Sequence, residues 1–86
     1  MSLAIWKFPA MIEDEFTIAM DADAQILCVQ VQRGVPCIWA IVSPKAKTVK
    51  RRFRWVGTGH ALDDDYGVYV GSVQLALVFH LFAVYS

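Results

Sequence analysis

The segment 24–43 is the part of this chain that most constrains its fold. Residues 24–32 are Ala-Gln-Ile-Leu-Cys-Val-Gln-Val-Gln, Arg33-Gly34 follows, and residues 35–43 are Val-Pro-Cys-Ile-Trp-Ala-Ile-Val-Ser. Two runs rich in β-branched and aromatic residues on either side of a Gly-containing turn are typical of a β-hairpin. Because Arg is a poor residue for the positive φ of a two-residue turn, we expect a three-residue loop with Gly34 in the left-handed position.

The loop length also decides where the two cysteines lie. A two-residue loop places Cys28 and Cys37 on one face as diagonal neighbours, about 7–8 Å apart and too far for an easy disulfide. A three-residue loop, which we expect here, places them on opposite faces of the hairpin. In either case we expect both cysteines to be small buried hydrophobic residues.

Runs of the same kind recur about every ten residues along the chain. The predicted strands are residues 5–8, 16–20, 25–32, 35–42, 49–56, 66–73 and 74–85. No stretch shows a helical period of useful length, and we expect no helix longer than two turns. The sequence therefore predicts a single all-β domain over residues 3–86, a small sandwich or barrel of about seven mostly antiparallel strands.

The chain carries more apolar residues than a small core needs. Hydrophobic residues make up 57% of its 86 residues. This share is above that of an ordinary soluble domain, also when the apolar set is defined to include Gly and leave out Tyr, as in the usual reference set. A chain this short has a thin core, so the surplus indicates apolar surface buried against another chain, unless several strands are covered on both faces. We expect a homo-oligomer or a protein partner, with Trp6, Trp55, Phe82 and Tyr85 as interface aromatics.

A basic stretch over residues 45–54 supports an alternative function. Strand geometry places Lys50, Arg52 and Arg54 on one face, with Phe53 and Trp55 pointing the other way. Cations beside aromatic residues can follow a single-stranded nucleic acid. The net charge of zero instead favours Phe53 and Trp55 as core residues, with the cations facing solvent or the acidic turns, so nucleic-acid binding is the second hypothesis.

Metal binding is the third hypothesis. Cys28, Cys37, His60 and His80 are suitable zinc ligands, but no pair of them has the spacing of a zinc ribbon or finger. His60 and His80 are therefore weak candidates, and we expect no metal and no other cofactor. His80 shares a strand face with Val78 and Phe82 and is expected to be a hydrogen-bonded core or interface residue. If it is buried and neutral, stability or assembly would be sensitive to mildly acid pH.

The remaining polar motifs indicate turns. Gly57-Thr58-Gly59-His60 lacks the third glycine of a dinucleotide-binding loop, and Asp63-Asp64-Asp65 lacks the closing Glu of a calcium loop. No serine has the surroundings of a nucleophile elbow. We expect a protein that is not an enzyme.

Three features of the sequence bear on the cellular compartment of the protein. No signal peptide is visible, and two cysteines are too few for a disulfide scaffold. The longest apolar stretch, residues 75–85, is broken by His80 and much shorter than the roughly 20 residues of a spanning helix. We expect a cytoplasmic protein that does not enter a membrane.

Short stretches along almost the whole chain match a known pattern. They are Ile5-Trp6-Lys7-Phe8, Leu27, Val29-Gln30, Gln32, Gly34, Pro36, Trp39-Ala40, Arg52-Phe53, Val56-Gly57-Thr58-Gly59-His60, Tyr69-Val70-Gly71 and Leu77-Val78-Phe79-His80. With these residues the chain resembles a family of small, uncharacterised proteins of tailed phages and prophage regions. The Val-Gly-Thr-Gly-His segment is its most specific part. The resemblance implies a phage or prophage setting, with cytoplasm of the host cell as the compartment, and it implies no reaction, ligand or catalytic residue.

Overall fold

The computed structural model describes residues 2–85, which form seven β-strands and no helix. The strands are β1 (Ala4–Pro9), β2 (Glu15–Asp21), β3 (Gln25–Gln32), β4 (Val35–Val42), β5 (Thr48–Gly57), β6 (Val68–Gln74) and β7 (Val78–Val84). The all-β prediction is confirmed, and the architecture is that of a sandwich. The last predicted strand, 74–85, starts too early, because residues 75–77 form the β6–β7 turn.

Two antiparallel sheets form the layers of this sandwich. One sheet has three strands in the order β1-β4-β3, and the other has four in the order β2-β5-β7-β6. The hairpin predicted at residues 24–43 is β3–β4, and β6–β7 is a second hairpin. In each sheet the remaining neighbours come from separate parts of the chain, which the strand pattern alone does not reveal.

The core lies between the inner faces of the two sheets. Its largest fully buried side chains are Phe53, Met20, Ile38, Leu81 and Val42. Strand alternation explains this set, because every second residue of the central strands β4, β5 and β7 points inward, as does Met20 near the end of β2. Phe16 of β2 stacks on Phe53 with ring centroids 5.5 Å apart.

Strands β3 and β6 bring an edge of one sheet against an edge of the other. A Cβ atom built on Gly71 of β6 would lie 2.9 Å from Cγ1 of Val29 in β3. Both strands carry a β-bulge, at Leu27 in β3 and at Val70 in β6. Bulges bend a strand and increase its twist, and here they accompany the close approach of the two edges.

The turn of the β3–β4 hairpin differs from the expected one. Gln32 pairs with Val35, so the loop consists of two residues, and the expected three-residue loop is wrong. Arg33 has φ 52° and Gly34 has φ 79°, the two positive angles of a type I′ turn. The right-handed twist of the strands favours this turn despite its cost at Arg33. Cys28 and Cys37 consequently lie on the same face, opposite Trp39 and Gln30 respectively.

Asp21 fixes the chain at one end of the sandwich. Its carboxylate accepts hydrogen bonds from the backbone N–H groups of Ser43 and Asp23, both at 2.8 Å. These two bonds, the first above all, together with Arg51, lower the pKa of Asp21. Arg51 donates to the carbonyl oxygen of Ala24 at 3.1 Å and to that of Asp21 at 3.3 Å. This cluster links the end of β2, the β2–β3 turn, β5 and the residue that follows β4.

In the part of the chain that the structure describes, no helix is long and apolar enough to cross a membrane.

Candidate functional site

The outer face of the three-stranded sheet is apolar and open. The pairing register places Ile5 beside Ile41, and Trp39 beside Cys28. Leu27 occupies the bulge next to Cys28. We call this surface the apolar face, and its members are Ile5, Leu27, Cys28, Trp39 and Ile41.

A shallow groove of about 340 Å³ runs across this face and is lined by four of these side chains and Gln30. Ile5 is 62% exposed and Leu27 is 42% exposed. Single exposed apolar residues are ordinary on a protein surface, whereas a contiguous group is typical of a contact surface. The sequence did not identify these residues as a contact surface. About half of the apolar residues in β1, β3 and β4 point inward to the core, and the sequence does not show which half faces solvent.

Charge is nearly absent from the strands that form the apolar face. Within the described bounds of β1, β3 and β4, Lys7 is the one charged side chain. Its Nζ donates a hydrogen bond to Oε1 of Gln32. Lys7 lies on this same outer face, opposite Trp39, and the other polar side chains of the face are the uncharged Gln25, Gln30 and Gln32. The ammonium group of Lys7 is therefore the one charge of these strands that burial of the face would have to desolvate.

The four aromatic residues expected at an interface differ in their solvent exposure. Trp6 and Tyr85 are exposed, as a contact role requires. Trp55 is 4% exposed and packs edge-on against Phe79 inside the core, so the expectation that it is an interface residue is wrong. The alternative, that Phe53 and Trp55 belong to the core while the cations of β5 face outward, agrees with the structure. Phe82 is 8% exposed, but it lies on the outer side of β7, away from the core.

The outer face of the four-stranded sheet is polar and carries the basic stretch. Lys50, Arg52 and Arg54 share this face, as alternation predicts, and they lie opposite Ala19, Thr17 and Glu15 of β2. We call this surface the basic face. Arg51, between them in sequence, points the other way and stacks on the Tyr85 ring at 5.3 Å from its centroid.

Glu15 partly neutralises the basic face. Arg52 donates to Oε1 of Glu15 from Nε at 3.0 Å and also from Nη2, and Arg54 lies 3.6 Å from Oε2. The hydrogen bond and the charge of Arg52, with a smaller contribution from Arg54, lower the pKa of the Glu15 carboxyl. Asp63, in the loop before β6, reaches within 3.9 Å of Arg54.

An aromatic cluster lies beside these arginines. Phe82 pairs across the sheet with Arg54 on one side and with Tyr69 on the other. The rings of Tyr66 and Tyr69 contact Phe82 edge-on, with centroids 5.4 and 5.7 Å away. Both tyrosines are exposed. The sequence gave no hint of this cluster, since Tyr66 and Tyr69 belong to a loop and to a bulged strand.

His80 forms the centre of a hydrogen-bonded chain on the same face. Its Nε2 lies 2.7 Å from Oγ1 of Thr58, and its Nδ1 lies 2.6 Å from Oγ of Ser72. The Ser72 hydroxyl is in turn 2.7 Å from the Tyr69 hydroxyl. His80 is half-buried, and both of its ring nitrogens lie within hydrogen-bonding distance of hydroxyl groups, as expected of a hydrogen-bonded residue. A neutral imidazole donates through one nitrogen and accepts through the other, so the chain has a direction set by the tautomer.

The metal candidates are not assembled into a site. His60 packs over Gly57 in the turn after β5, whereas His80 is bonded to Thr58 and Ser72. Among residues 2–85 no group of three or more His, Cys, Asp or Glu side chains could hold a metal ion. Cys28 and Cys37 are both free thiols.

Comparison with known proteins gives a family and no activity. No curated protein matches the chain, and no solved structure matches it. The family described as Domain of unknown function (DUF7352) matches residues 1–86, the whole of the chain. The chain belongs to this DUF7352 family.

Proposed function

We propose that this chain is a non-enzymatic interaction protein that self-associates through the apolar face of its three-stranded sheet. The observation that supports this most strongly is the groove formed by Ile5, Leu27, Cys28 and Trp39, which is apolar and open to solvent. Burial of apolar area is the main favourable term in protein association. The phage or prophage setting, in the cytoplasm of a host cell, rests on the sequence resemblance and is part of the proposal.

A second copy of the chain is the partner that the composition of this face fits best. Two copies that meet in a two-fold arrangement apply the same patch to each other. Such contact requires no complementary charge pattern, and the strands of this face contribute only Lys7, which is already bonded to Gln32. The glutamines at the rim offer both donors and acceptors, so they can pair with their own copies.

The size of the face sets the expected strength. Three strands at about 4.8 Å spacing and about 27 Å length give a projected area of roughly 400 Å² per chain. Each partner in a standard interface contributes about 800 Å². We therefore expect a reversible dimer whose population depends on protein concentration, rather than a permanent one.

Sedimentation velocity over a concentration series tests this proposal. Ile5→Lys places a charge in the apolar face, and Leu77→Lys is the matched control, since Leu77 is 65% exposed in the β6–β7 turn of the other sheet. The wild type and Leu77→Lys should move from monomer to dimer as concentration rises. Ile5→Lys should remain monomeric at concentrations where the control is dimeric. A wild type that is monomeric throughout, or an Ile5→Lys variant that dimerises like the control, would overturn the proposal.

A further inference from the structure

The basic face combines three features that do not contribute to the core or to the apolar face. They are the cations of β5, the aromatic cluster around Phe82 and the hydroxyl groups around His80. The pairing register brings them together: the row Glu15–Arg54–Phe82–Tyr69 runs across the sheet, and the row Val56–His80–Ser72 runs beside it. All three features lie on this one face.

The aromatic cluster presents flat rings that are held in place. Phe82 anchors Tyr66 and Tyr69 by edge-on contacts on its solvent side. More than half of Tyr69 remains exposed, at 57%. A tyrosine ring fixed in this way offers a stacking surface at little cost in conformational entropy.

The cations of the basic face lie among carboxylates, since Asp14 lines the same pocket as Glu15, Arg54 and Asp63. Lys50, Arg52 and Arg54 stand against Glu15 and the loop residue Asp63. Glu15 holds the guanidinium groups of both arginines by one carboxylate, which fixes their position, and Lys50 makes no ion pair among the described residues. An anionic ligand would meet two positioned guanidinium groups and the ammonium group of Lys50 on this face.

We propose that the basic face binds single-stranded nucleic acid, with a base stacked on Tyr69, a neighbouring base near Tyr66 and phosphates contacted by Lys50, Arg52 and Arg54. Positive grooves lined by aromatic rings bind single strands in this way, because every base has a face that can stack. A duplex keeps its bases stacked on each other and offers none to the tyrosines. The hydroxyls of Ser72 and Thr58, oriented by His80, supply donors and acceptors for base edges or for a ribose hydroxyl.

This inference is independent of the proposed dimer. The basic face belongs to the four-stranded sheet and the apolar face to the three-stranded sheet, on opposite sides of the sandwich. A dimer formed through the apolar face leaves both copies of the basic face open. Loss of one activity therefore does not imply loss of the other, and Ile5→Lys should bind nucleic acid like the wild type at each site.

Fluorescence anisotropy with labelled oligonucleotides is the test. The probes are a single-stranded oligo-dT, the corresponding oligo-rU and a DNA duplex of the same length, at low salt. We expect both single strands to bind more tightly than the duplex. The slope of log K against log salt should be about −0.7 for each phosphate contacted, or roughly −2 if all three cations take part.

Matched variants separate stacking from charge. Tyr69→Ala should weaken binding by about 5- to 150-fold, the range of one base–aromatic stack, whereas Tyr69→Phe should bind like the wild type. Trp6→Ala is the control, since Trp6 is an exposed aromatic residue on β1 of the other sheet. Arg52→Gln should reduce the salt slope by about 0.7, and Lys45→Gln in the β4–β5 loop should leave it unchanged. Because Tyr69 is largely exposed, an unchanged thermal melt for Tyr69→Ala separates loss of binding from loss of the fold.

Each outcome of these binding measurements either supports or overturns the proposal. Tighter binding of oligo-rU than of oligo-dT, with the difference removed by Ser72→Ala, supports the site and assigns the hydroxyl groups to the ribose. Equal binding of the two also supports it, with bases and phosphates as the recognised groups. No anisotropy change with either single strand at low salt overturns the proposal and leaves the tyrosines as a cover for Phe82. Binding that Tyr69→Ala does not weaken, or that is equal for the duplex, overturns it as well.

Discussion

Gly71→Ala tests the close approach of the two sheets at β3 and β6. The new Cβ would lie 2.9 Å from Cγ1 of Val29, and the next nearest atoms, the backbone O and N of Val29, lie at 3.9 and 4.0 Å. The conflict is thus confined to one methyl group. Val29 is β-branched and buried, so its side chain cannot rotate away without entering the core.

The expected cost follows from two opposing effects. Insertion of a methyl group into a packed core typically costs about 1–3 kcal/mol. Gly71 does not have a positive φ, so alanine also restricts the unfolded chain and returns about 0.4–1 kcal/mol. The net loss of stability should be about 1–2 kcal/mol, which corresponds to a fall in Tm of roughly 4–16 °C for a domain of this size.

A double-mutant cycle with Val29→Ala isolates the contact. Val29→Ala alone removes two methyl groups and should cost about 2 kcal/mol. The double variant should be more stable than the sum of the two changes predicts, by about 1–2 kcal/mol, because the smaller side chain leaves room for the new methyl. Urea unfolding followed by tryptophan fluorescence gives these values, at one protein concentration throughout, since dimerisation shifts apparent stability.

A matched cycle provides the control. Val42 is buried on β4, one strand further from β6, and Gly71→Ala with Val42→Ala should be additive. Additive free energies in the Val29 cycle as well would refute the reasoning, because they would mean that the β3 and β6 edges do not touch at Gly71.

Three further changes have expected outcomes that thermal melts can check. Arg33→Asn should raise the stability by about 1 kcal/mol, since Asn tolerates the left-handed φ of 52° better than Arg, and an unchanged or lower Tm would contradict the type I′ turn. Gly67→Ala should cost about 3 kcal/mol or more, because φ is +96° and the new Cβ would lie 2.3 Å from the Ala83 carbonyl oxygen, so a normal melt would be inconsistent with this packing. Asp21→Asn should be less stable than the wild type at neutral pH. Because the folded pKa of Asp21 is lowered, its stabilising effect is present above the ordinary value of 3.8 and disappears as pH falls through the folded value. The difference in Tm should therefore shrink in acid, and a difference independent of pH would argue against the hydrogen bond from Ser43.

Strand alternation predicted the parts of the fold that follow a regular period of two. The class, the two hairpin strands of residues 25–32 and 35–42, and the shared face of Lys50, Arg52 and Arg54 all follow from it. The turn at Arg33 did not, because the twist of the flanking strands outweighed the local preference of Arg. Which strands from separate parts of the chain become neighbours also lay beyond a pattern that describes one strand at a time.

The bulges explain why much of the candidate sites escaped prediction. Tyr69 and Ser72 are three residues apart, which in a regular strand places them on opposite faces. The bulge at Val70 puts both on the basic face, where their hydroxyls meet. Leu27 reaches the apolar face through the second bulge. Alternation also could not show that Trp55 is fully covered, since burial depends on the opposite sheet.

The most direct measurement of the central claim uses Cys28 as a reporter of the apolar face. Cys28 is half-buried within that face, and Cys37, at 3% exposure, is removed as Cys37→Ala so that one thiol remains. The rate at which a thiol reagent labels Cys28 should fall as protein concentration rises through the monomer–dimer transition, because the dimer covers this face. In the Ile5→Lys background the rate should stay constant. A labelling rate that is independent of concentration while the wild-type chain dimerises would show that a different surface forms the contact, and would contradict the account.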